Sequence, residues 1–167
     1  MKHEDIKLIL NNDEYIGKEI TVCGWIRAIR KNKSILFLEI NDGTSLKNLQ
    51  LVVDYALITT EKLFSKLSIG SSIAVNGIVV NSINSSQKIE LEVKEIKLLG
   101  KCPNDYPIQR KKQNMEYLRN YPHLRTRTNT FNAAFRIRSM LIKYIHDYFQ
   151  EHDYIYVNTP IITGSNC

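Results

Sequence analysis

Five side chains in the first third of the chain have types and spacings suited to contact with nucleic acid: Arg27, Arg30, Lys33, Phe37 and Gln50. Phe37 alternates with Ile35 and Glu39, whereas Leu36, Leu38 and Ile40 form a uniformly aliphatic set. The aliphatic set makes the better core, which leaves the ring of Phe37 beside Glu39 on the polar side of a strand. An exposed ring on a strand can stack on an unpaired base, a contact worth ~1–3 kcal/mol; the alternative is a ring packed in the core. Gln50 alternates with Leu49 and Leu51, and its amide can donate and accept at once, which suits the edge of a base; the alternative is an ordinary solvated strand residue. Arg30, with Arg27 and Lys33 as companions, can pair a phosphate or lie flat on a base, or be a surface charge and no more.

The elements that must position these residues are strands. Ile20–Arg30, Ser34–Ile40 and Leu49–Val53 are rich in Ile, Val, Leu, Phe and Trp and are separated by turn residues, among them Asp42-Gly43. Gly24, inside the first strand, suggests a bulge or a tight bend. Leu57, Ile58, Leu63, Phe64 and Leu67 then recur at helical spacing, ended by Gly70. Ser72–Val80, with Gly77 as a kink, and Ile89–Ile96 supply two more strands. A short helix within Lys2–Leu10 presents Ile6, Ile9 and Leu10 to the barrel. Three strands, a helix and two strands is the order of the OB-fold, a five-stranded Greek-key barrel. The expected fold is therefore mainly β: that barrel over residues 1–101, followed by a hinge and the beginning of a second domain.

Residues 102–127 form the hinge, where Pro103 and Pro107 oppose regular structure. Its Tyr106, Pro107, Arg110, Lys111 and Lys112 are candidates for touching nucleic acid between the two domains, with a flexible solvated linker as the preferred reading. Asn114–Tyr121 fits two helical turns before Pro122. Thr128 or Asn129 can cap a long helix reaching about His152, with Phe131, Phe135, Leu141, Ile142, Ile145, Tyr148 and Phe149 along one side. Tyr154–Val157 reads as a strand, ending at Asn158-Thr159-Pro160. One amphipathic helix and one strand do not close a core, so residues 128–167 are expected to be an incomplete domain, completed by further sequence or by another chain.

The chain carries a net charge of +6, unevenly spread. Residues 1–101 hold a net +2, residues 102–127 a net +4 and residues 128–167 a net of zero. Such local patches favour a phosphate backbone, and equally keep a surface solvated. Three scattered cysteines, Cys23, Cys102 and Cys167, support neither a disulfide framework nor a zinc knuckle. His3, His123, His146 and His152 make no metal-ligand spacing. No P-loop, GxGxxG or nucleophile elbow is present, and no catalytic residue can be named. The N-terminus lacks the apolar stretch of a signal peptide and no run would cross a bilayer, so a cytoplasmic protein without a membrane partner is expected.

Gly24-Trp25-Ile26-Arg27, Phe37-Leu38-Glu39-Ile40-Asn41-Asp42-Gly43 and Leu49-Gln50-Leu51-Val52 resemble the anticodon-binding OB domain of aspartyl-, asparaginyl- and lysyl-tRNA synthetases. Tyr106-Pro107-Ile108-Gln109, Tyr117-Leu118-Arg119, His123-Leu124-Arg125-Thr126-Arg127-Thr128-Asn129-Thr130 and Thr159-Pro160-Ile161-Ile162-Thr163 resemble the bacterial-type asparaginyl-tRNA synthetases, and the His-Leu-Arg-x-Arg-Thr-Asn run separates that family from its two relatives. The resemblance spans essentially the whole chain. It implies that Phe37 stacks on the central anticodon uridine, that Gln50 reads an anticodon base, and that Arg30 has a similar role. It implies that the long helix and the segment ending at Pro160 are motif 1 of a class II synthetase, a homodimer interface to which Phe135, Leu141 and Pro160 belong. It implies an enzyme that activates asparagine with ATP and Mg²⁺ as an adenylate and esterifies tRNA-Asn. Motifs 2 and 3, which hold ATP and the amino acid, are expected beyond Cys167, so this portion is expected to bind tRNA without catalysis and to hold no cofactor itself. A stand-alone OB module that binds tRNA or single-stranded nucleic acid is the competing expectation.

Overall fold

A computed structural model describes residues 2–55, 66–82, 87–108, 113–162 and 164. The helix expected between the third and fourth strands falls mostly on residues 56–65, outside the described residues.

Five strands, β1 (Glu19–Lys31), β2 (Ile35–Asn41), β3 (Leu49–Asp54), β4 (Ser72–Asn81) and β5 (Ile89–Gly100), close into a barrel in the order β1-β2-β3-β5-β4. All neighbours are antiparallel except β3 and β5, which run parallel through Gln50–Glu90, Leu51–Leu91 and Val52–Glu92. Closure leaves no free sheet edge. Alternation decides the interior: Val22, Ile26, Leu36, Leu38, Ile40, Leu51, Ile73, Val75 and Leu91 are all buried. Helix α1 (Ile6–Asn11) adds Ile6 and Ile9 to the same core. It is seated by the turn after β2, where the Ile6 N–H donates to Asp42 Oδ2 at 2.8 Å and the Lys7 N–H to Thr44 Oγ1 at 3.0 Å. Gly43, at φ +88°, takes the left-handed conformation that the Asp42-Gly43 pair announces.

Two glycines act differently from each other. No bulge falls at Gly24: it pairs regularly with Ile73, and its missing side chain admits the Asn41 carbonyl, whose oxygen would lie 3.1 Å from a Cβ. The bulge of β1 comes later. Ile26 pairs with Ile40 but Ala28 pairs with Glu39, so Arg27 is the extra residue. The kink expected at Gly77 is where the β4–β5 register shifts, with the Glu92 carbonyl oxygen in the space a Cβ would occupy.

After the barrel come α2 (Met115–Arg119) and α3 (Asn129–Glu151). Asn114 caps α2, its Oδ1 accepting the Tyr117 N–H at 2.7 Å. Thr128 stands at the start of α3 but does not cap it by its side chain, because its hydroxyl donates back to the Arg125 carbonyl at 2.6 Å. The described part of the segment expected to be a solvated linker is packed. Ile108 and Leu118 are buried, and the Cys102 N–H donates to Ser71 Oγ at 3.2 Å. Alternating charge and proline hid those two apolar anchors. Arg110, Lys111 and Lys112 lie outside the described residues.

No residue of α3 is buried. The strand expected at Tyr154–Val157 has no regular structure and no ladder partner among the described residues, and Ile155 is 87% exposed. Its composition favours a strand, but a strand exists only where another can pair with it. Instead Tyr154 sets its ring edge against Phe149, centroids 5.3 Å apart, and Tyr156 meets His146 at 4.7 Å.

Candidate nucleic-acid interface

The outer face of the barrel carries a polar row that crosses its strands. Ala28, Glu39, Gln50, Glu90 and Val80 stand side by side on β1, β2, β3, β5 and β4, and Arg30, Phe37, Val52, Glu92 and Ile78 form the next row. The β1 bulge makes this possible. Ile26 faces the core, and uninterrupted alternation would have turned Arg30 inward as well. The extra residue reverses the parity, so Arg30 comes out opposite Phe37.

Phe37 is half-buried on this outer face, away from the aliphatic interior, as the alternation of β2 predicts. The Arg30 guanidinium lies 6.0 Å from its ring centre. Arg30 Nη2 donates to Gln50 Oε1 at 2.8 Å and stands 3.5 Å from Glu39 Oε1, while Glu39 Oε2 accepts from Asn48 Nδ2 at 3.0 Å. Gln50 Nε2 donates to Glu90 Oε1 at 3.0 Å, and the Ser82 hydroxyl donates to the same oxygen.

Gln50 therefore differs from the free amide expected of a solvated strand residue. It is only 6% exposed, with both ends of its amide engaged. It sits mid-sheet, between Glu39 and Glu90 on neighbouring strands and beneath Arg30. Glu90 holds Nε2, so the amide keeps one orientation, with Oε1 toward the exposed guanidinium. The Arg30 side chain, 52% exposed, covers Gln50 Oε1 from the solvent side. Glu90 and Ser82 were not anticipated as part of the site. The strict alternation of β5 puts Glu90 on the outer face, but the parallel pairing that brings it against a residue 40 positions away has no local signal.

Arg27 and Lys33 are not brought to this cluster. Lys33 is exposed in the β1–β2 turn, beyond the last pair, Lys31–Leu36, and no side-chain contact joins it to the others among the described residues. Arg27, the bulge residue, lines a cleft of about 810 Å³ between the barrel and the segments leading into α2 and α3. There Arg127 places its guanidinium 5.2 Å from the Trp25 ring centre and donates to the Tyr106 hydroxyl at 3.4 Å. Burial holds the Arg27 guanidinium below the usual arginine range. The like charge of Arg127 acts in the same direction, and Tyr106 opposes both.

On α3, Phe135 is 37% exposed and partly covered by Arg125, whose guanidinium lies 5.7 Å from its ring centre, whereas Leu141 is 54% exposed and Pro160 is exposed. Among the described residues no group of three His, Cys, Asp or Glu could hold a metal ion, and no helix is long and apolar enough to cross a membrane.

Residues 20–99 match the family model of the OB-fold nucleic acid binding domain, and residues 114–167 that of tRNA synthetases class II (D, K and N). The asparagine–tRNA ligase of Acetivibrio thermocellus is 46% identical over 159 residues, and that of Clostridium kluyveri 45% over 160. These alignments take in 95% and 96% of this chain, and the chain spans about a third, 34%, of the length of each relative. Asparaginyl-tRNA synthetase from Pyrococcus horikoshii superposes with a TM-score of 0.84 at 23% identity, covering 97% of this chain and 38% of that one, which places the two in one fold. Over the third of their length that it spans, the chain is similar in sequence to the asparagine–tRNA ligases, and its two parts match an OB-fold nucleic acid binding domain and the class II tRNA synthetases (D, K and N).

Proposed function

We propose that the outer barrel face reads the anticodon of tRNA-Asn. The single observation that carries this reading is the juxtaposition, on one solvent-facing surface, of a half-exposed ring, Phe37, with the Arg30–Gln50–Glu90 chain of donors and acceptors. Stacking supplies sequence-tolerant affinity, and the oriented amide and guanidinium supply discrimination at a base edge. The chain serves a ligase that uses ATP and Mg²⁺ to join L-asparagine to tRNA-Asn. Both cofactors belong to the whole enzyme, and no residue of this chain is assigned to either. The unburied apolar side of α3, with Phe135, Leu141 and the exposed Pro160, faces a second copy in a homodimer. The working compartment is the cytoplasm, where tRNA is charged.

The test is a titration of the chain against the anticodon stem-loop of tRNA-Asn and against the same hairpin with its anticodon bases replaced. Tighter binding of the native hairpin is expected. Equal affinity for both would refute recognition by this face.

A further inference from the structure

The cleft between the barrel and α2 holds two guanidiniums on one side. Arg27 and Arg127 line it together, and both also line the adjoining hollow of about 440 Å³ against α3, so they form the ridge between the two spaces. Arg127 is steadied by the Trp25 ring and the Tyr106 hydroxyl. Arg27, although half-buried, makes no hydrogen bond and no ion pair among the described residues. The carboxylate that lines the cleft, Glu39, is engaged elsewhere, with Asn48 on one oxygen and Arg30 near the other. Two like charges drawn together in a partly desolvated site, without a counter-ion among the described residues, repel each other and favour an anion between them.

Position says which anion. Arg27 is three residues before Arg30 on β1 and, as the bulge residue, lies less than about 10 Å from it along the strand at ~3.3 Å per residue. Glu39 borders both the cleft and the Arg30–Gln50 cluster, so the two surfaces are continuous. A strand of RNA whose base lies on Phe37 runs its backbone within reach of the cleft mouth. We infer that Arg27 and Arg127 form a phosphate-binding site for the sugar–phosphate backbone of the RNA that the barrel face reads, clamping it between the barrel and the helical segment. The inference rests on the proposed reading of the Phe37 face.

The experiment uses the whole chain and the anticodon stem-loop of tRNA-Asn, titrated at several salt concentrations for the wild type and for Arg27→Gln, Arg27→Lys and Phe37→Ala, with thermal unfolding as a control. Losing one phosphate contact should reduce the magnitude of the slope of log affinity against log salt by about 0.7. It should also weaken binding about tenfold at low salt. Arg27→Gln should show both effects, and Arg27→Lys, which keeps the charge, should retain most of the slope. An unchanged slope and affinity in Arg27→Gln overturns the site. So does a loss of affinity that comes with lower thermal stability at an unchanged slope, because Arg27 is then only a structural part of the junction. In both cases a weakened Phe37→Ala leaves the reading of the barrel face standing. If Phe37→Ala binds as well as the wild type, that reading fails whatever Arg27 does.

Discussion

Adjacent residues on β2 should fail in opposite ways when truncated. Phe37 is half-buried on the outer face, and Leu38 is fully buried in the core. Phe37→Ala removes a ring that touches the Arg30 guanidinium only at 6.0 Å, the outer limit of a cation–aromatic contact. The folded state therefore loses about half of the burial of one aromatic side chain, ~1 kcal/mol. Its RNA complex loses a stack of ~1–3 kcal/mol, a weakening of roughly 5- to 150-fold. Leu38→Ala opens a cavity in a closed barrel with no free surface on which to collapse, and should cost ~2–5 kcal/mol of stability. Urea unfolding followed by far-ultraviolet circular dichroism gives the stability of each variant, and fluorescence anisotropy with a labelled anticodon stem-loop gives affinity. A folded Phe37→Ala with wild-type affinity removes the ring from the site. A Phe37→Ala that unfolds as readily as Leu38→Ala would show that the ring serves the core, and the assignment of faces on β2 would be wrong.

Gly77→Ala should destabilise the barrel by at least about 2 kcal/mol, because the new Cβ meets the Glu92 carbonyl oxygen of the facing strand at a separation no real contact allows; a urea midpoint within error of the wild type would refute this. Glu19 receives a hydrogen bond from Lys94 at 2.5 Å, and that bond and the Lys94 charge hold its carboxyl below the usual carboxylate range. The folded pKa is the lower one, so the pair's contribution is present above the ordinary carboxylate range and is lost as pH falls through the depressed value. Lys94→Gln should remove that acid-side dependence and little else, since the pair is exposed and screened by salt; matching stability-against-pH curves for the two proteins would contradict it. Leu141→Asp, on the exposed side of α3, should abolish concentration-dependent association in sedimentation velocity, and should leave the unfolding midpoint unchanged only at protein concentrations where the wild type is monomeric. A variant that still self-associates would exclude that side from the interface.

Much of this molecule is legible in one dimension because its information is local. The five strands announce themselves through alternation, as in Ile35–Ile40, where every second side chain is buried. Phe37 could be assigned to the outer face from its two neighbours on either side alone, since parity along a strand needs no partner. The family resemblance carried by Trp25-Ile26-Arg27 and by the Leu124–Thr130 run is likewise a property of order in the chain. The assembled interface is not local. Whether Arg30 faces in or out depends on a single inserted residue, Arg27, whose bulge is defined by pairing with β2. Whether Gln50 offers a free amide depends on Glu90 and Arg30, which reach it from two other strands, one of them through a parallel pairing between distant segments. Tyr154–Val157 makes the same point from the other side: strand-forming composition stays unpaired where no ladder is on hand among the described residues. Sequence determined which segments become strands and which faces they bury, because those follow from side-chain size and a period of two. Tertiary structure decided which polar groups meet, because hydrogen bonds between strands are set by register and closure, and both are properties of the whole barrel.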